Sequence, residues 1–192
     1  MKKIIVLTGA SGVGKTTVSH YLQQHYGITP IITHTTRPKR LGEQDGVDYY
    51  FETPASFANN EYLEQVNYAH YRYGSSVVGL LRAWQQSDWV SIVLDGAGAL
   101  SYQQHYPQNT VIIFLTVDSK ELYERLQRRN DDSQALKKRL TSPEFQRDLH
   151  LPSTLKATAH VIDNSNWLQT QKQLDLLIKQ LKTAEHRTQK RR

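Results

Sequence analysis

Short apolar runs alternate with amphipathic stretches along most of the chain. Lys3 to Leu7 is a β-branched apolar run that stops at Thr8 and Gly9, the pattern of a buried parallel strand. From Lys15 to about Tyr26 the apolar positions Val18, Tyr21 and Leu22 recur at helical spacing, and Gly27 closes the segment, as a glycine past a helix end does. Further buried-type strands are expected at Trp89 to Leu94, Thr110 to Leu115 and His160 to Ile162,. Two more helices are expected between and after them. One runs from Ser119 to Arg129, capped by Ser119, with Leu122 and Leu126 on one face; the other carries Leu174, Leu177, Ile178 and Leu181 at i, i+3, i+4 and i+7,. Strands alternating with helices predict an α/β fold with a parallel sheet covered on both faces.

Two stretches break the alternation. Residues 34 to 88 are polar and hold six of the eleven tyrosines, which reads as an inserted subdomain rather than another strand and helix. Residues 128 to 150 are dense in charge, with Arg128, Arg129, Lys137, Lys138, Arg139 and Arg147, and are expected to form a mobile cover. No repeat or Pro/Gly linker divides the chain. The expected organisation is therefore a single domain over residues 1–192. Its core is 1–33, 89–127 and 151–182, with a subdomain at 34–88, a lid at 128–150 and a basic tail at 183–192.

Composition narrows the function classes. Hydrophobic residues at 38% and charged residues at 22% supply a core for 192 residues and argue against a disordered chain. The absence of cysteine excludes disulfides and thiolate metal sites, and a cytoplasmic location is expected. The apolar run Ile4 to Leu7 is too short for a signal peptide, and no segment is long and apolar enough to span a membrane. A net charge of +6 invites a nucleic-acid reading. Half of it, however, sits in residues 183 to 192, where Arg187, Lys190, Arg191 and Arg192 face only Glu185. This reads as a frayed, solvated terminus, with a nucleic-acid or membrane contact as the alternative; no nucleic-acid partner is expected. The eight histidines are scattered without ligand spacing,. No feature of the sequence specifies an oligomeric state.

The first chemical motif is Gly9-Ala10-Ser11-Gly12-Val13-Gly14-Lys15-Thr16. It fits G-x-x-x-x-G-K-[ST] and sits directly after an expected strand, opening an expected helix. Glycines let the backbone fold tightly and aim N–H groups inward, where the helix N-terminus adds positive potential for polyphosphate. Lys15 then reaches the β- and γ-phosphates, and the Thr16 hydroxyl is the expected ligand of Mg²⁺. With Thr17 and Asn164, these residues form the expected ATP-binding set.

An acceptor must be sought elsewhere, and residues 33 to 50 contain Thr33-His34-Thr35-Thr36-Arg37-Pro38-Lys39-Arg40-Leu41-Gly42-Glu43, then Gly46 and Asp48-Tyr49. Here the chain resembles the guanylate kinase family, whose signature is T-T-R followed by P-R, G-E, a glycine and D-Y. The resemblance continues in Asn60-Glu61-Tyr62-Leu63-Glu64, in Tyr73-Gly74-Ser75-Ser76, in Ile113-Phe114-Leu115 with Arg125-Leu126 and Arg129, and in Val161-Ile162-Asp163-Asn164. It covers residues 3 to 182. It implies a three-layer P-loop NTPase fold with a parallel sheet core, an inserted nucleoside-monophosphate-binding subdomain and a helical lid. The implied activity is transfer of the ATP γ-phosphoryl group to GMP, with Mg²⁺ accompanying ATP. Arg37, Arg40, Tyr49 and Tyr73 together suit a dianionic phosphate. The resemblance further implies that Glu64, Thr33 and Ser75 read guanine, that Glu43 supports the arginines and that Arg129 and Arg139 close over the transferring group with Lys15. A basic solvated helix is the alternative for those lid arginines.

The chain also departs from the family. Where the family shows D-x-D after its central strand, Val93 stands first and Asp95 second, ahead of Gly96-Ala97-Gly98. Asp95 is assigned to the GMP side, and a one-step slip would instead give it the metal. The lid is one residue short between Arg129 and Arg139, and Thr116-Val117-Asp118 replaces a proline pair. Two other readings stand beside GMP phosphorylation. One is a kinase of the same fold acting on another phosphate such as ribose bisphosphate. The other is a non-catalytic binding module, which typically loses the phosphate-loop Lys or Thr that this chain keeps.

Overall fold

The computed structural model describes residues 1–68, 70–128 and 133–189. Five parallel strands form the central sheet: β1 (Lys3–Thr8), β2 (Thr29–Pro30), β7 (Trp89–Val93), β8 (Thr110–Thr116) and β9 (Ala159–Asp163), in the order β2-β7-β1-β8-β9. Strand side chains alternate between faces, so β1 feeds two cores. Ile5 and Leu7 pack with Val18 and Leu22 of α1 (Lys15–Tyr26), Leu122 and Leu126 of α5 (Ser119–Gln127), and Leu174 and Ile178 of α8 (Trp167–Gln189). Ile4 and Val6 pack with Leu80 and Ala83 of α3 (Val77–Gln86) and with Ala99 and Tyr102 of α4 (Gly96–His105). The expected layers, helices on both faces of a parallel sheet, are present.

Three local features differ from the sequence reading. The strand β2 was not expected, because two residues carry no periodicity and one is a proline, tolerated here at the sheet edge. Helix α5 is capped by Asp118, not Ser119: the Asp118 carboxylate accepts from the N–H groups of Lys120 and Glu121 at 2.9 and 3.4 Å. That helix ends at Gln127. The basic stretch expected to fray from residue 183 continues α8 as far as Gln189, since no Gly or Pro interrupts it after Leu181,. Lys190, Arg191 and Arg192 lie outside the described residues.

Residues 34 to 88 contain a second sheet. It contains β3 (His34–Thr35), β4 (Tyr50–Phe51), β5 (Tyr62–Tyr68) and β6 (Tyr71–Ser76) in the order β4-β3-β6-β5. Ser76 caps α3 by accepting from the Gly79 N–H, and the same Oγ meets His34 Nε2 at 2.8 Å while His34 Nδ1 meets Glu52 at 2.9 Å. This buried junction ties the small sheet to the helix that packs on the large one. In the cover, α6 (Ser133–Leu140) and α7 (Pro143–Asp148) are anchored by Leu136 and Phe145, which join the apolar cluster of α5 and α8.

Candidate active site

The loop between β1 and α1 is shaped by glycines. Gly9, Gly12 and Gly14 have φ of 127°, 93° and 97°, a region other residues enter only at a cost. A Cβ on Gly9 would lie 2.3 Å from the Leu115 carbonyl oxygen, so the loop is pressed against β8. Lys15 Nζ donates to the carbonyls of Gly9 and Ala10 at 2.6 and 2.9 Å. Ala10 and Val13 are buried and anchor the loop, whereas Thr16 and Thr17 are exposed in the first turn of α1. Asn164, expected at the nucleotide, is 3% exposed, and its amide donates to the Val13 carbonyl at 2.7 Å. It braces the loop from behind. Gly9→Ala is expected to destabilise the fold by about 3 kcal/mol or more, roughly a 10 °C fall in Tm, measurable by thermal unfolding.

The acceptor side is organised around Arg37 and Glu43. The guanidinium, 8% exposed, donates from both terminal nitrogens to the two Glu43 oxygens at 2.9 and 2.8 Å. One of those oxygens also accepts from the Arg40 N–H at 2.8 Å. These contacts hold the Glu43 carboxyl below the usual carboxylate range. The Arg37 guanidinium lies 5.5 Å from the Tyr49 ring centroid, and Tyr49 and Tyr73 have ring centroids 6.2 Å apart. Arg40 reaches out as an exposed side chain. Glu43 thus holds the Arg37 side chain and the backbone at Arg40.

Further in, Glu64 on β5 pairs with Ser75 on β6. Burial pushes the Glu64 carboxyl up to about 7, opposed by Ser75 and reinforced by the negative charge of Asp95. Asp95 uses both oxygens: Oδ1 accepts the Gly98 N–H at 2.8 Å, capping α4, and Oδ2 accepts from Arg147 Nη2 at 2.8 Å. Asp95→Ala is expected to lose about 1 kcal/mol with the cap, or roughly 2–4 °C in Tm. Asp95→Asn keeps an equivalent cap and should stay within about 1 °C of wild type in the same melting experiment.

A cleft of about 290 Å³ brings Lys15 together with Thr33, Tyr49, Glu64, Tyr73 and Asp95, while Arg37, Arg40 and Glu43 lie outside its lining. That volume is at the scale of a small-ligand pocket. Val93, where an acid was looked for, lines it too. The sequence reading missed the opposite wall, formed by Glu144, Arg147 and Asp148 of α7. Their i, i+3, i+4 spacing puts them on one helix face, and that spacing was the available signal. Burial raises the Asp148 carboxyl, while Arg147 and the Lys15 charge counteract it. Arg129 lies outside the described residues, and so does the side chain of Arg139. Among the described residues, no cluster of His, Cys, Asp and Glu could hold a metal by itself, and no helix is long and apolar enough to cross a membrane.

Comparison with known proteins agrees with this geometry. The family model described as guanylate kinase matches residues 1–181. The chain is 33% identical over 191 residues to the guanylate kinase of Mycoplasma genitalium, a match covering 94% of this chain and 74% of that one. It is 36% identical over 183 residues to that of Synechococcus sp., covering 92% and 82%. In fold it is similar to the crystal structure of guanylate kinase from Anaplasma phagocytophilum, with a TM-score of 0.64 at 24% identity over 93% of this chain and 85% of that one. With a family model matched over residues 1–181 and relatives at 33% and 36% identity over nearly the whole chain, the chain belongs to the guanylate kinase family.

Proposed function

We propose that this protein transfers the γ-phosphoryl group of ATP to GMP, giving ADP and GDP. The observation that carries the reading is the cleft that runs without interruption from Glu64 to Lys15, because acceptor base, acceptor phosphate and donor phosphates must lie in line for transfer. Arg37, Arg40, Tyr49 and Tyr73 hold the GMP phosphate with charge-assisted donors. Glu64, with Thr33, Ser75 and Asp95 beside it, reads the base. Lys15 and the N–H groups of Gly9 to Thr17 hold the ATP phosphates at the start of α1. Arg129 and Arg139 are assigned to close over the transferring group, with 128–150 as lid, 34–88 as acceptor subdomain and the remainder as core.

Mg²⁺ fits as a companion of ATP rather than of a protein cage. Thr16, an exposed hydroxyl next to Lys15, is the residue that would hold it, and a small hard cation takes few protein ligands beside nucleotide phosphates. Held there, it would neutralise charge on the ATP phosphates. The retained Lys15 and Thr16 favour a kinase over a binding module. A coupled assay with ATP and Mg²⁺ across GMP, AMP, UMP, CMP and ribose bisphosphate tests the reading: turnover is expected with GMP, and preference for any other acceptor overturns it.

A further inference from the structure

Below the base-reading end of the cleft lie two hydroxyls whose hydrogen bonds are not made. Ser75 Oγ on β6 and Tyr102 Oη on α4 are fully buried, and neither has a partner. Both stand against Glu64. The Ser75 hydroxyl favours the ionised form of the Glu64 carboxyl and of the Tyr102 phenol, and the Glu64 charge opposes ionisation of Tyr102. Helix α4 itself is pressed onto Glu64: a Cβ on Gly98 would meet the Glu64 Cγ at 3.3 Å. A phenylalanine would fill the Tyr102 site without burying an unpaired hydroxyl, and such groups in native proteins ask for a reason.

Resting on the guanine reading of Glu64, we propose that Tyr102 is a positioning residue for base recognition. With GMP on Glu64, the Tyr102 hydroxyl donates to Ser75 Oγ, and Ser75 donates to the Glu64 carboxylate. The direction follows from chemistry: an ionised carboxylate only accepts, so the chain of protons can run only from Tyr102 through Ser75 to Glu64. Each bond strengthens the next in a low-dielectric setting. The relay fixes the inner side of the carboxylate and leaves its outer lone pairs for the guanine N1–H and 2-amino group.

Other charged and titratable groups also face Glu64 in the cleft. They are Asp95 at the head of α4, Lys15 of α1, Glu144, Arg147 and Asp148 of α7, and the phenols of Tyr49 and Tyr73. Tyr106 faces Tyr102. All remain in place in a Tyr102→Phe protein, so a difference from wild type reports the relay. Without nucleotide, Tyr102→Phe should melt at the wild-type temperature or above it, since it deletes only an unpaired hydroxyl. With GMP, its KM should rise about 3- to 10-fold, the worth of one hydrogen bond. The kcat should stay within about twofold, and the acidic limb of kcat/KM should move to higher pH. Ser75→Ala should show the same shift, and adding Tyr102→Phe to it should change nothing further.

Unchanged KM and pH limb in Tyr102→Phe overturn the proposal, and so does an equal added loss in the Ser75→Ala background. Reduced stability without nucleotide overturns it as well, because it would show an ordinary structural bond. GMP failing to raise the melting temperature of the wild-type protein would instead overturn the guanine reading itself, and the relay with it.

Discussion

Lys15→Met is expected to leave a folded protein whose kcat for GMP falls by about 10²- to 10³-fold, the loss found when one preorganised donor to a developing charge is removed. Lys15 Nζ lies over the Gly9 and Ala10 carbonyls, at the cleft end where the terminal phosphates of ATP are assigned. Methionine keeps the length and apolar stem but supplies no charge. The loop does not depend on that charge for its shape, because Asn164 braces Val13 and the glycines set the turns. Melting should therefore stay within about 5 °C of wild type, consistent with losing one or two modest hydrogen bonds. Steady-state kinetics with a melting curve check both halves, and near-normal turnover would remove Lys15 from the donor site.

Glu64→Gln is expected to separate recognition from stability. Guanine presents N1–H and a 2-amino group side by side, which an ionised carboxylate accepts in a fork; adenine has an unprotonated N1 there and no 2-amino group. Replacing the carboxylate by an amide should lower kcat/KM for GMP by roughly 10- to 100-fold, the worth of a charged hydrogen bond, while AMP use stays flat or rises. An unchanged GMP/AMP ratio would place Glu64 outside base reading.

Stability should move the other way. The folded carboxyl is raised to about 7 from an ordinary 4.5, with burial the largest cause. The folded protein therefore binds that proton more tightly than the unfolded chain does. The contribution of Glu64 to stability is therefore greatest below about pH 4.5 and is lost as pH rises through about 7,. The whole loss is at most about 3 kcal/mol at pH 8. Glu64→Gln lacks this slope, so without nucleotide it should be the more stable protein at pH 8 and nearly equal at pH 5, in denaturant titrations at the two values.

How much of this was legible in the sequence depends on how local each feature is. The phosphate loop is contiguous, and its strand, glycines, Lys15 and helix form within about twenty residues, so pattern and chemistry agreed before any fold was known. Arg37 and Glu43 are six apart and framed by the same turn. The face of α7 was not legible in this way. Glu144, Arg147 and Asp148 look like an ordinary charged helix until Phe145 is seen buried against the core, turning that face onto Lys15. Asp118 over Ser119 as a cap was a choice between adjacent good candidates, decided by which residue stays extended. Tyr102 belongs to no motif in the sequence, and only its position behind Ser75 gives the hydroxyl meaning.

The brace between Asn164 and Val13 spans 151 positions of sequence, and β1 finds its neighbours only in β7 and β8. The phosphate loop is thus completed by segments far from it in sequence. The glycine turns and the Lys15 contacts are local, whereas the Asn164 brace forms only once β9 has docked beside β8. Contacts of such long separation are slow to form, because loop closure must come before they stabilise anything. Until β9 docks, the chain carries a glycine-rich motif without the brace that completes its shape.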